Sequence, residues 1–264
     1  MSWRLFWAVV LILLGIVLLL INLDILPGNA WNYIFPAILV LGGIVLMVGW
    51  RGGSRQLEAV SASAPLEGAT HAAITLKHGA GQLNVRAGSD PTLLFTGTFG
   101  GGVDKKLKQD NGTAFLELKT PSDVWSNLAF PGVHGLRWDL QLHPTIPTTL
   151  KYEGGAAETK MDLSGIHLTT LEINTGASST DVVLPPPHGT LRVVVHAGAA
   201  SVKLRLPQNA PAAIRGTMGL GSLDIDKSRF PDRGLGVYQS DDYANAPDRI
   251  EMTVEGGVGA VQIR

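Results

Sequence analysis

The stretch Gly176-Ala-Ser-Ser-Thr-Asp-Val-Val-Leu-Pro185 and its counterpart Gly198-Ala-Ala-Ser-Val-Lys-Leu-Arg-Leu-Pro207 set the fold. Each opens on glycine and small residues and then places apolar side chains at every second position, as in Val202, Leu204 and Leu206. That alternation is the mark of a half-buried strand. The same unit begins at Gly79, Gly155, Gly219 and Gly257, and the starts at 155, 176, 198 and 219 are 21, 22 and 21 residues apart. A fixed period of this size marks a repeat architecture. A second alternating run precedes the glycine, as in Ala73–Lys77, Leu171–Asn174, Leu191–Val195 and Ile250–Val254. Each repeat therefore reads as two short strands joined at a corner. The corner positions Gly79, Gly155, Gly176, Gly198, Gly219 and Gly257 need glycine because the chain turns sharply there and neighbouring corners stack closely. Pro185, Pro186, Pro187 and Pro207 close their strands, since proline cannot donate to a ladder. The expectation is an all-β repeat domain over residues 69–264, either a β-sandwich or stacked rungs like a short β-solenoid. Insertions are expected near 100–145 and 226–248, and residues 51–68, rich in Gly, Ser and Ala, read as a linker.

The first fifty residues are of another kind. They contain 37 of the chain's apolar residues and two charges, Arg4 and Asp24. They raise the mean hydropathy of the whole chain to +0.19. Leu5–Leu23 would span roughly 28 Å as a helix, close to a bilayer's hydrocarbon core. Ile34–Trp50 carries no charge, and Pro27-Gly28 signals a turn between the two runs. Trp3, Trp7, Trp31, Tyr33 and Trp50 sit near the run ends, where interfacial aromatics belong. The expectation is a two-helix transmembrane hairpin over residues 1–50, with spans at about 5–23 and 34–50. A multi-pass membrane protein would follow. Arg4, Arg51 and Arg55 place both termini and the β domain in the cytoplasm by the positive-inside rule.

Composition closes several doors. The chain has no cysteine, which excludes disulfides, thiolate metal sites and cysteine nucleophiles. A net charge of -1 gives no reason to expect nucleic acid. The Gly-x-Gly pieces are not followed by Lys-Ser/Thr and open no helix, so they read as strand corners and not phosphate loops. His71, His78, His134, His143, His167, His188 and His196 show no metal-ligand spacing. Asp224 and Asp226 share a strand face beside Lys227 and Arg229, and read as a solvated ion-paired surface, as does the basic run Lys105-Lys106-Leu-Lys108 beside Asp104 and Asp110. Ser178-Ser179 lacks a nucleophile elbow. No catalytic residue, cofactor or metal is expected. Trp125, Phe130 and Trp138 in the 100–145 insertion form the one notable aromatic group. They would either cap the open end of the stack or form a partner-binding patch.

The ordered set Trp138-Asp-Leu-Gln-Leu, Gly154-Gly-Ala, Met161-Asp-Leu-Ser-Gly-Ile, Leu171-Glu-Ile-Asn-Thr-Gly-Ala and Val182-Val-Leu-Pro resembles the C-terminal, toast-rack domain of LiaF-like proteins. Ile34-Phe-Pro-Ala-Ile-Leu-Val-Leu-Gly-Gly-Ile resembles the membrane region of the LiaI/LiaF type. That type often carries four spans, and this sequence has two candidates. The resemblance implies a non-enzymatic regulator anchored in the bacterial cytoplasmic membrane and acting in cell-envelope stress signalling. Its partners would be the lipid bilayer and a membrane protein such as a sensor kinase. Two other readings stay open. A self-associating structural module would pair through the last repeat, Ile250–Arg264, as an unprotected edge. A ligand binder or enzyme would need a deep polar pocket.

Overall fold

A computed structural model describes residues 55–56, 58–122, 124, 133–134 and 136–264. The chain divides into two compact units, residues 1–55 with 130–132, and residues 56–129 with 133–264. The second unit is an all-β domain. Its strands, with the two-residue β1, are β1 (Arg55–Gln56), β2 (Ala59–Pro65), β3 (His71–Ala87), β4 (Leu93–Gly100), β5 (Asp104–Asp110), β6 (Thr113–Lys119), β7 (Val133–His134), β8 (Arg137–Leu142), β9 (Thr148–Asp162), β10 (Leu168–Thr175), β11 (Ser179–Val183), β12 (Thr190–Arg205), β13 (Ala212–Ile225), β14 (Asp232–Gly234), β15 (Val237–Gln239) and β16 (Arg249–Ile263).

The rack is built from long parallel strands that run through the corner. β3, β9, β12, β16 and β13 are each continuous, while β10 and β11 together supply one further rung. Burial alternates along each strand, and its phase slips by one residue at the corner. In β12, Leu191, Val193, Val195 and Ala197 are buried before the corner and Ala200, Val202 and Leu204 after it. One slipped residue turns the second half of the strand so that both halves face one shared core. The inward side chains form ladders across the rungs. Ile74, Leu150, Leu171, Val193, Met252 and Ile214 share one register, and Val85, Met161, Val182, Leu204, Ile263 and Ile225 another. Apolar burial of this kind contributes about 1.5–3 kcal/mol per large side chain, so the ladders carry the stability of the rack.

Among the long rungs, spatial order departs from sequence order at one place. β16 lies between β12 and β13, so Ile250–Ile263 is an interior rung. The expectation that the last repeat forms an unprotected edge is thereby corrected; the outermost long strand at that end is β13. At the other end β3 meets β6 with its first half and β8 with its second. β5 pairs with β6, and β4 and β2 extend the sheet from β8 in antiparallel order. Residues 59–65, read as linker, are thus a strand, and much of the 100–145 segment is sheet.

The fold class is all-β, and the expected transmembrane part of it is corrected. The candidate spans at 5–23 and 34–50 lie outside the described residues. Among the described residues no helix is long and apolar enough to cross a membrane. The structure therefore supports the β repeat domain alone and gives no support to a two-helix hairpin or to a multi-pass membrane localisation.

Candidate functional site

The six corner glycines form one column. A Cβ built on Gly176 would lie 3.2 Å from the Gly155 carbonyl oxygen, one on Gly198 3.1 Å from that of Gly176, one on Gly257 3.0 Å from that of Gly198, and one on Gly219 3.1 Å from that of Gly257. One on Gly155 would overlap the Gly79 carbonyl oxygen outright. The column order is 79, 155, 176, 198, 257, 219, which follows the rungs and not the sequence. At Gly155 the next rung's backbone occupies the space of a side chain, and at Gly176, Gly198, Gly219 and Gly257 it would have to give slightly to admit one.

Two residues before each glycine, the outer face carries a polar row. Lys77 is paired in register with Glu153, Glu153 with Asn174, Asn174 with His196, His196 with Glu255, and Glu255 with Thr217. Asn174, Thr175, His196, Thr217, Glu255 and the neighbouring glycines line an open groove of about 710 Å³ beside the column. His196 Nδ1 lies 3.2 Å from Glu255 Oε2. Towards β6 the row joins an ion-pair network. Lys77 Nζ is 3.3 Å from Glu117 and 3.9 Å from Glu153, and Lys151 Nζ is 2.9 Å from Glu172 and 3.5 Å from Glu153. The Asn174 amide donates to Glu172 at 2.7 Å. That bond and the Lys151 ammonium hold the Glu172 carboxyl below its ordinary range, and Glu172 in turn raises Lys151. These are solvated pairs, each worth at most about 1 kcal/mol.

Inside the corner the polar groups are few. Tyr152 and Thr159 are buried, and their hydroxyls lie 2.6 Å apart. The Tyr152 hydroxyl fills the space a Cβ on Gly154 would take. His78 closes the inward face of β3 with no exposed surface, its ring 4.9 Å from that of Trp138. Neither His78 nitrogen, nor Trp138 Nε1, has a hydrogen-bond partner among the described residues. Burial takes the His78 imidazole down to about 4.

The expected site residues fall as follows. Gly79, Gly155, Gly176, Gly198, Gly219 and Gly257 are the corner column. Trp138 is a fully buried residue of β8, edge-on to Phe99 at 5.0 Å. Trp125 and Phe130 lie outside the described residues. Among the described residues no group of three His, Asp or Glu is placed to hold a metal ion. Asp224 pairs with Arg264, Asp241 with Arg233, and Asp226 accepts from the Ser228 N–H at 3.0 Å. Lys105 donates to the Ser63 carbonyl at 3.1 Å, and Lys106 lies 3.8 Å from Glu117. Sequence reasoning missed the groove residues Asn174, His196, Thr217 and Glu255. Their signal was present, since each stands two positions before a corner glycine.

A family model described as the N-terminal domain of toast_rack, DUF2154, matches residues 52–205. The chain belongs to the toast_rack family. The crystal structure of a candidate cell adhesion protein from Clostridium sporogenes is 24% identical and superposes with a TM-score of 0.70, over 78% of this chain and 98% of that one. The likeness establishes the shared fold. A candidate adhesin from Bacteroides fragilis is 6% identical, covers 78% of this chain and 97% of its own, and at a TM-score of 0.33 supports no argument. No curated protein matches the sequence.

Proposed function

We propose that this toast-rack protein is a non-enzymatic interaction module that regulates a partner protein. The observation that carries the reading is where its polar groups lie. The interior is filled by apolar ladders, and the polar row sits in an open groove on the outside. A groove of that shape suits a protein segment better than a reacting small molecule, which calls for an enclosing pocket with converging polar groups. Asn174, His196 and Glu255 offer donors and acceptors in strand register, matched to a polypeptide laid across the rungs. The finer reading, motivated by the resemblance to LiaF-like proteins, is that the partner is a sensor kinase of cell-envelope stress signalling. Regulation then works through differential affinity of the module for the partner's two states.

The test is a transcriptional reporter of envelope stress in cells with the gene removed and then restored. Removal is expected to change basal or induced output severalfold, and restoration to reverse it. Identical output in all three strains overturns the reading.

A further inference from the structure

Among the described residues the rack leaves an edge bare at β13. The first half of β13 is covered by β15 at Ala213, Ile214 and Arg215, but its second half has β16 on one side and no strand among the described residues on the other. The Asp226 N–H reaches the Ile263 carbonyl at 3.1 Å. By the alternation of a strand, the N–H and C=O groups of Gly221 and Leu223 then point away from β16, where no strand lies among the described residues. Edge strands are commonly guarded by charge, proline or a covering segment. The β2 edge has such a guard in Lys105, which donates to the Ser63 carbonyl. From Gly216 to Leu223 the β13 edge has neither a charged residue nor a proline. It displays Leu220, 79% exposed, beside its register partner Val258, 55% exposed.

We infer that this edge pairs with the same edge of a second copy of the chain, antiparallel across a two-fold axis, to make one continuous sheet. Three observations select a second copy as occupant over a foreign peptide. Recognition of a peptide by strand addition takes its specificity from pockets for alternate side chains. Here the inward positions Leu223 and Ile225 are filled by the edge's own residues, and the outward position is a protruding Leu220. A self-complementary two-fold interface requires only that the same patch face itself. An antiparallel pairing centred on Ser222 leaves β15 undisturbed, sets Gly221 of each copy opposite Leu223 of the other so that their outward-pointing N–H and C=O groups meet, and brings the two Ser222 side chains face to face. This inference does not rest on the docking reading above: the edge adjoins the groove at Thr217, and cross-linking reads the edge alone.

The absence of native cysteine makes the test direct. Ser222→Cys is prepared in the full chain, kept in mild detergent because residues 1–50 are so apolar, and exposed to a gentle oxidant. Cβ atoms opposed across an antiparallel pair are close enough for a disulfide. A covalent dimer is expected as the main product on a non-reducing gel. Phe115→Cys, an exposed site on β6 far along the rack, is expected to give little. Leu220→Glu added to Ser222→Cys places a carboxylate on the edge opposite Asp224 of the second copy without touching the core, and is expected to cut the dimer yield roughly tenfold with the circular dichroism spectrum unchanged. Equal cross-linking from both cysteine positions, none from Ser222→Cys, or undiminished yield with Leu220→Glu overturns the inference. Association driven only by residues 1–50 would show itself by the last of these.

Discussion

Replacing His78 with leucine should remove a defined part of the domain's sensitivity to acid. The imidazole has no exposed surface, and burial lowers it from 6.5 to about 4. In the unfolded chain it titrates near its ordinary value. Between these two values the unfolded state binds the proton that the folded state refuses, so stability rises with pH across that window and is lost as pH falls through it. The cost works out at under ~1 kcal/mol at pH 6, ~2 kcal/mol at pH 5 and ~3 kcal/mol at pH 4, relative to neutral pH. Leucine has similar bulk, fits an apolar slot beside Trp138 and carries no proton, so it should cancel that slope at a baseline cost of under about 1.5 kcal/mol. The assay is urea unfolding of wild type and His78→Leu at half-unit steps from pH 7.5 to 4, with the difference in unfolding free energy plotted against pH. Carboxylates such as Glu158 and Glu172, held low by their partners, titrate in both proteins and drop out of the difference. The variant should gain steadily on the wild type as pH falls. Curves that stay parallel would show that the imidazole is protonated or hydrated in the folded state, and would refute its placement as a dry core residue.

Other consequences are simpler. Gly155→Ala, whose Cβ would overlap the Gly79 carbonyl, should cost about 1–3 kcal/mol by forcing two rungs apart, measured as a fall in denaturation midpoint. Tyr152→Phe leaves the buried Thr159 hydroxyl without its 2.6 Å partner and should cost about 1–2 kcal/mol in the same assay. Val195→Ala, in a ladder with no exposed surface, should cost about 1–3 kcal/mol with the unfolding slope unchanged. Lys151→Ala breaks solvated pairs with Glu153 and Glu172 and should change stability by no more than about 0.5 kcal/mol, an effect that fades in 1 M salt.

Much of the rack could be read from sequence because its two governing signals are local. Glycine at a fixed period marks the corners, and the period-2 runs on either side mark the inward ladders. Both depend on residues a few positions apart. The order of the rungs is not local. The units beginning at Gly219 and Gly257 carry the same alternation, and nothing in either says which of them lies against β12. That ambiguity placed the unprotected edge on Ile250–Arg264 when it belongs to β13. Residues 59–65 read as linker because Ala and Ser are small, weakly patterned and poor in strand propensity; their pairing with β4 is decided by tertiary context. Trp138 stands in a segment broken by turns, yet Arg137-Trp-Asp-Leu-Gln-Leu alternates as a strand should, and the structure makes it β8. His78 was overlooked for the converse reason. It occupies the next inward slot after Ala72, Ile74 and Leu76, where the alternation itself foretells burial. Asn174, His196, Thr217 and Glu255 escape a reading anchored on the glycines, because the outward position two residues before them varies in residue type from copy to copy.

The central claim is that the outer groove beside the glycine column docks a partner. Its most direct test is restoration of the deleted gene by a variant carrying His196→Ala and Glu255→Ala, both exposed and both outside the core. The account predicts a protein that folds with an unchanged melting temperature but fails to restore the envelope-stress reporter to its wild-type output. Full restoration by the folded variant would contradict it.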